Sequence, residues 1–251
     1  MVSGNVDVAR NLQEIRARIA EAALRVQRDP EDVELVAVTK TFPVEMILEA
    51  WEAGQQHFGE NRPEEGAAKI SRALAVMLSG RPAGTPVWHM IGHIQSRKTD
   101  LVVAHFDIVH TVDRFKIAQK LNDLGARMGR CIPVLVECNV SGEASKYGYE
   151  AAGWQGDLGI RERLYSEVAS LVELPYLQLL GLMTMAPIAE DPATVRPVFA
   201  SLRGLRDWLR EQFPGTDWSQ LSMGMTDDFA VAVEEGATLV RVGRGVFGAR
   251  P

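Results

Sequence analysis

Eight short apolar runs, each followed by a stretch with helix chemistry, recur along the chain and constrain its fold more than any other feature. The runs lie at 33–39 (VELVAVT), 56–59 (QHFG), 86–91 (PVWHMI), 107–112 (DIVHTV), 132–139 (IPVLVECN), 177–184 (LQLLGLMT), 219–223 (SQLSM) and 238–243 (TLVRVG). Between them sit PVEMILEAWEAG, PEEGAAKISRAL, SRKTDLVVAHF, DRFKIAQKLNDLGARM, the long 150–173 stretch, 192–213 and DDFAVAVEEG. Several of these open with Pro or Asp and close with Gly, as helix ends require. A strand that is apolar on both faces must be covered on both, and a helix after it returns the chain to the same sheet as a parallel neighbour. Eight such units in 251 residues predict an α/β fold, a single (β/α)8 TIM barrel. The short segments 56–59 and 219–223 leave a doubly wound open sheet as the other arrangement. Ahead of the first strand, Val8, Leu12, Ile15, Ile19, Ala22 and Val26 fall at helical spacing over 7–27. They predict an additional N-terminal helix, within residues 1–30, packing on the barrel. With no linker, low-complexity tract or longer repeat, one domain over 1–251 is expected.

Composition narrows the setting. The chain has 33 Asp+Glu against 27 Lys+Arg, a net charge of −6 that argues against general nucleic-acid binding. It has no apolar run of about 18 residues, and MVSGNVDVAR lacks the blocks of a signal peptide, so a cytoplasmic, non-membrane protein is expected. The two cysteines, Cys131 and Cys138, sit on one extended segment, pointing to opposite faces and too far apart for a disulfide.

In such a barrel the active groups belong at the C-terminal ends of the strands, with phosphate in the loops after the seventh and eighth. The first strand ends in Val38-Thr39-Lys40. Lys40 either marks the strand end with a snorkelling charge, or is desolvated into a Schiff-base amine. The eighth unit continues Arg241-Val242-Gly243-Arg244-Gly245, where glycines let backbone N–H groups close on a phosphate, although Gly-x-Gly alone means only a tight turn. The seventh ends Ser222-Met223-Gly224-Met225-Thr226-Asp227-Asp228, where Ser222 offers a hydroxyl to the same phosphate while Thr226 and the aspartates cap the next helix. Arg241 alternates with Val240 and Val242, and an inward arginine requires an acceptor such as a heterocyclic nitrogen. A lysine amine, a ring-nitrogen partner and a phosphate cup are the three holds that pyridoxal phosphate needs.

Seven ordered blocks carry a resemblance over almost the whole chain: LVAVTK around Lys40, FGEN at Phe58–Asn61, WHMIGHIQ at Trp88–Gln95, VHTVDR at Val109–Arg114, GLMTMAP at Gly181–Pro187, LSMGMTDD at Leu221–Asp228 and VRVGRGVFGAR at Val240–Arg250. The sequence resembles the pyridoxal phosphate homeostasis proteins, also called the proline synthetase co-transcribed homologue family, which is similar to the N-terminal barrel domain of fold-type III alanine racemases. The resemblance implies that Lys40 carries pyridoxal 5'-phosphate as a Schiff base and that Arg241 faces the pyridine nitrogen. It implies that Ser222, Gly243 and the Arg244 backbone N–H hold the phosphate, that Gly224 shapes the loop and that Asn61 lies near the ring. Three positions depart from the family pattern. Arg244 stands where a small hydroxyl residue is common, Arg97 where Asn is common, and Arg62-Pro63 where an aromatic or aliphatic pair follows Asn61.

Fold-type III racemases use a second base, a tyrosine, from an additional β domain and a partner subunit. Here the chain stops eight residues after Gly243, so neither that domain nor its dimer contact is expected, and Tyr147, Tyr149, Tyr165 and Tyr176 are expected to be packing or surface residues. An arginine at the pyridine nitrogen keeps it unprotonated and the ring a poor electron sink. The resulting expectation is a monomer that takes part in vitamin B6 homeostasis by binding, storing or delivering the cofactor, with apo-enzymes as candidate recipients and little or no turnover. Two alternatives are a single-domain amino-acid racemase and a cofactor-free aldolase barrel using Lys40. No metal site is expected from His89 and His93, whose faces differ, and Arg97 and Lys98 are expected at a solvated helix start. His57, His105 and His110 have no partner that the sequence identifies. Met183, Met185, Met223 and Met225 are expected to be core or pocket lining.

Overall fold

Every one of the eight runs forms a strand in the computed structural model, which describes residues 6–78 and 84–249. The first five residues of the N-terminal segment, and Arg250 at the end of its block, lie outside the described residues. The strands are β1 (Glu34–Val38), β2 (His57–Glu60), β3 (Val87–Met90), β4 (Ile108–Val112), β5 (Ile132–Asn139), β6 (Tyr149–Glu150), β7 (Leu177–Met183), β8 (Gln220–Ser222) and β9 (Leu239–Val242). All pairings are parallel. They run β1 to β2, β3, β4 and β5, then through β7 and β8 to β9, and β9 returns to β1 in the register Val36↔Arg241. The ring therefore closes on eight strands and has no edge, which excludes the open sheet. The two-residue β6 pairs only with the end of β5, at Cys138↔Tyr149.

The helices are α1 (Val8–Arg25), α2 (Val44–Glu52), α3 (Pro63–Met77), α4 (Thr99–His105), α5 (Phe115–Met128), α6 (Leu158–Val172), α7 (Arg196–Gln212), α8 (Phe229–Glu234) and α9 (Arg244–Phe247). Their ends follow the local chemistry. Pro63 opens α3 with Glu64 and Glu65 in its first turn, and α5 stops at Gly129 in the left-handed conformation. The 150–173 stretch is helical only from 158. Asp157 is the reason, because its carboxylate accepts the Gly159 N–H at 2.8 Å and the Ile160 N–H at 3.2 Å and so caps the helix there.

Period 2 along the strands divides the interior into two cores. Residues such as Leu35, Ala37, Phe58, Trp88 and Val240 face the helices and build the larger cluster. Val36, Leu135, Met183 and Leu239 form a smaller one on the other strand face, inside the ring, where Lys40, Arg241 and Gly243 follow in the same alternation. The helix α1 buries Val8, Leu12, Ile15, Ile19 and Ala22 against α2, α8 and α9. Burying one such Leu or Ile side chain contributes roughly 1.5–3 kcal/mol. Polar ties fix its register: Asn11 Nδ2 donates to the Val246 carbonyl at 2.9 Å, and just beyond the helix Arg28 donates to the carbonyls of Val233 and Ala237.

Candidate functional site

Lys40 lies two residues past the end of β1 and is half-buried at the C-terminal mouth of the ring. Its backbone is held on both sides. The Thr39 hydroxyl donates to Glu60 Oε1 at 2.7 Å, while the Gly59 carbonyl accepts the Thr39 N–H at 2.9 Å. Lys69, reaching from α3, donates to the Thr39 carbonyl at 2.7 Å, to Glu60 at 2.9 Å and to Glu65 at 2.6 Å, and Glu65 in turn accepts the Thr41 N–H at 2.6 Å. Thr41 has φ +69, a left-handed conformation that a β-branched residue adopts only where its surroundings impose it. Glu60 is fully buried, and that burial raises its pKa, opposed by the Thr39 hydroxyl and the Lys69 ammonium. This anchor is not apparent from the sequence. Only the Glu65/Lys69 spacing of four on one helix hints at it.

Asn61 continues β2 at the same mouth, and its Oδ1 is buried without a hydrogen-bond partner. The strand-end loop after β3 crosses it so closely that a Cβ on Gly92 would lie 2.2 Å from the Asn61 carbonyl oxygen, so glycine is required there. From β9, Arg241 enters the ring almost completely buried. One Nη donates to Ser222 Oγ, and the other to the Thr184 carbonyl at 2.9 Å. Burial lowers the Arg241 pKa to about 10, with Asp228 and Glu137 opposing. Glu137 on β5 is itself pushed up to about 7, first by burial and then by Asp113, against the pull of Arg241 and Arg114. Neither Glu137 nor Asp228 stands out as a buried partner in the sequence, because their proximity to Arg241 arises only when the ring closes.

Five of the seven expected residues, Lys40, Asn61, Arg241, Gly243 and Arg244, line one cavity whose apolar walls include Val38, Ile91, Met185 and Met225. The Arg244 side chain is exposed and pairs with Asp227 at 2.7 Å, so its backbone is what it offers to the cavity. Ser222 lies elsewhere. It is fully buried, outside the cavity wall, with its Oγ 2.9 Å from His110 Nδ1 and in contact with Arg241, because the alternation of β8 turns it into the ring rather than toward the loop. Gly224 stands behind the loop at φ +91, where a Cβ would meet that of Ala232 at 2.5 Å, and its carbonyl accepts the Arg241 N–H at 3.0 Å. Of the departures, Arg62 and Arg97 are exposed, while Pro63 is buried as the first residue of α3.

The histidines separate because β3 ends at Met90 and His93 lies in the loop beyond it. His89 lies inside the ring, whereas His93 sits at the mouth, 2.8 Å from Asp113 and stacked on Tyr147. Among the described residues no group of three or more His, Cys, Asp or Glu side chains could hold a metal ion. Tyr147, Tyr165 and Tyr176 are exposed, and Tyr149 is buried beside β5. Met183 and Met223 are core residues, while Met185 and Met225 line the cavity. Both cysteines are free, Cys131 exposed and Cys138 buried.

Residues 10–251 match the family model described as the alanine racemase N-terminal domain. The chain is 42% identical over 244 residues to the pyridoxal phosphate homeostasis protein of Vibrio alginolyticus, covering 97% of each. It is 39% identical over 248 residues to that of Escherichia coli K12, again covering 97% of each. Among solved structures, PipY of Synechococcus elongatus PCC7942 superposes with a TM-score of 0.78 at 35% identity, over 93% of this chain and all of that one. The same protein with PLP bound gives 0.76 at 34% identity over the same shares. An alanine racemase of Clostridium difficile 630 shares the fold, with a TM-score of 0.70 at 17% identity, over 98% of this chain and 56% of that one.

Proposed function

Because the chain belongs to the pyridoxal phosphate homeostasis protein family and carries the alanine racemase N-terminal barrel, we propose that it binds pyridoxal 5'-phosphate as a Schiff base on Lys40 and takes part in vitamin B6 homeostasis. The observation that carries this reading is the convergence of an amine, a buried guanidinium and a glycine turn on one cavity, as Lys40, Arg241 and Gly243. The residues suit the group. The buried, unpartnered Asn61 Oδ1 would accept a hydrogen bond from a ring hydroxyl, and the turn from Gly243 into α9 offers first-turn N–H groups, that of Arg244 among them, for which a helix has no internal partner. A protein that binds PLP at 34% identity supports it further.

When bound, pyridoxal phosphate supplies an aldehyde that condenses reversibly with an amine and a ring able to delocalise charge. This chain's own residues restrict that chemistry. The two-sided clamp on Thr39 and Thr41 fixes where Lys40 presents its amine. Arg241 donates only, so facing the ring nitrogen it would oppose a proton there and would favour holding the cofactor over amino-acid turnover. Gly224 supports Arg241 through its carbonyl, and Ser222 acts on Arg241 rather than on phosphate. In this reading residues 1–251 work as one cofactor-binding domain, monomeric and cytoplasmic, that supplies apo-enzymes. No helix among the described residues is long and apolar enough to cross a membrane.

Mass spectrometry after borohydride reduction tests the proposal. Protein mixed with pyridoxal phosphate is expected to turn yellow and to carry the reduced adduct on the Lys40 peptide, and Lys40→Ala is expected to lose both. A colourless protein, or an adduct elsewhere, would overturn the reading. Racemisation of amino acids at ordinary enzymatic rates would favour the racemase alternative instead.

A further inference from the structure

A continuous line of hydrogen bonds leaves Arg241 in the direction away from the mouth, built from three histidines to which the sequence assigned no role. Ser222 Oγ, which accepts from Arg241, lies 2.9 Å from His110 Nδ1. His110 Nε2 lies 2.8 Å from His89 Nδ1, and His89 Nε2 lies 2.9 Å from His57 Nδ1. His57 Nε2 then faces Glu34 Oε2 at 3.7 Å. His89 and His110 are completely buried, and the His57 side chain is 21% exposed, so the line runs from the cofactor cavity to solvent at the opposite end of the ring.

Each link joins Nδ1 of one ring to Nε2 of the next, so neutral imidazoles with one donor and one acceptor each allow only two polarities. The Ser222 end selects one of them. Arg241 only donates, so Ser222 accepts from it and keeps its own hydrogen for His110 Nδ1; a proton on that Nδ1 would make Ser222 accept twice and deprive its hydrogen of this partner. At the far end the Glu34 carboxylate lies 3.7 Å from His57 Nε2, too long for a hydrogen bond, and its negative charge favours the same polarity, with hydrogen on Nε2. The line therefore reads Ser222 O–H to His110, His110 Nε2–H to His89, His89 Nε2–H to His57, and His57 Nε2–H toward Glu34.

The surroundings keep the rings neutral. Burial lowers the pKa of His110 well below its ordinary value, helped by His89 and Arg241, and burial followed by His57 takes His89 down to about 3. Burial also lowers His57, opposed by Glu34 on β1 and Asp107 just before β4. At the other end the charged groups acting on Arg241 are Glu137 and Asp228.

We propose that His57, His89 and His110 are positioning residues for the bound cofactor: as a relay of single polarity they turn the Ser222 hydrogen away from Arg241, leaving that oxygen free to fix the guanidinium. What Arg241 faces rests on the cofactor reading above, whereas the tautomer pattern is a property of the ligand-free chain. Nitrogen NMR of the histidine-labelled, ligand-free protein is expected to show all three rings as Nε2–H tautomers, with His89 and His110 unresponsive between about pH 6 and 8. Mixed or Nδ1–H tautomers would overturn the relay without any variant having to fold.

Two substitutions then test the coupling. In His57→Leu, His89 loses its acceptor and the polarity inverts, so the His110 Nδ1 resonance is expected to move toward the protonated position. Affinity for pyridoxal phosphate is expected to fall about tenfold, and the absorption band of the bound cofactor to shift. His57→Gln, whose carbonyl oxygen can accept from His89, is expected to restore all three readouts. An unchanged His110 resonance and affinity in His57→Leu, beside normal binding by the native protein, would overturn the relay alone. A native protein that binds no pyridoxal phosphate would be a failure of the cofactor reading, seen before any variant is made.

Discussion

Glu137 and Lys69 show how single buried charges govern this barrel, and each yields a measurable consequence. Burial holds the Glu137 carboxyl at about 7 against an ordinary 4.5, so between those values the folded protein keeps a proton that the unfolded chain has shed. Stability from this group is therefore complete below pH 4.5 and lost as the pH rises to 7, by about 3 kcal/mol in all. Glu137→Gln is expected to abolish that slope, giving its largest gain above pH 7, as read from urea unfolding at pH 5 and 7.5. Lys69 compensates the fully buried Glu60 and also holds the Thr39 carbonyl. Removing one partner of a buried pair is costly, so Lys69→Met is expected to destabilise by about 3 kcal/mol, and Glu60→Gln in the same chain to recover part of it. At this scale the sequence singled out Lys40 and Gly243 because they follow strands, Arg241 because it alternates with valines within the last strand, and Asn61 through the family resemblance. It did not single out Glu60, Glu137 or the three histidines, whose partners lie on other elements and up to 112 positions away, as between His110 and Ser222.

Among the elements, α1 has the clearest dependence on its neighbours. Its apolar stripe was readable as a helix over 7–27 from spacing alone, and the helix spans Val8–Arg25. Which elements it covers was not readable, because α8 and α9 lie more than 200 residues later. Leu12 is completely buried in that contact, so Leu12→Ala is expected to cost about 3 kcal/mol, measured by chemical denaturation. The same variant is expected to loosen α9, to which Asn11 is tied one residue earlier, and so to weaken phosphate binding. The 150–173 stretch shows the opposite limit. Its composition suits a helix throughout, but Gly153, Gly156 and the Asp157 cap start the helix late, and Trp154 is instead drawn into the packing by its hydrogen bond to Ser201 at 3.2 Å.

For the molecule as a whole, the polar interior sets the response to acid. His89 and His110 are neutral when folded and take up protons on unfolding, so their contribution is lost as the pH falls below 6.5 toward about 3 for His89. Between pH 4.5 and 6.5 the raised carboxyls Glu137 and Glu60 act with the opposite sign and offset that loss. Below 4.5 the carboxyls are protonated in both states and the histidines act unopposed. Unfolding free energy is therefore expected to vary by only about 2 kcal/mol from pH 5 to 7 and to fall steeply below about 4.5, as followed by thermal or denaturant unfolding. The sequence by itself determined the eight strand-helix units, the mouth position of Lys40, the inward face of Arg241 and the glycine turn at Gly243, because apolar period and turn chemistry are local properties. Only the tertiary structure decided that Ser222 serves Arg241, that Lys69 anchors the strand bearing Lys40, and that His57, His89 and His110 form one line. Those facts depend on which strands the closed ring brings to face each other across its interior, and hydrogen-bond partners chosen across a lumen leave no periodic trace along the chain.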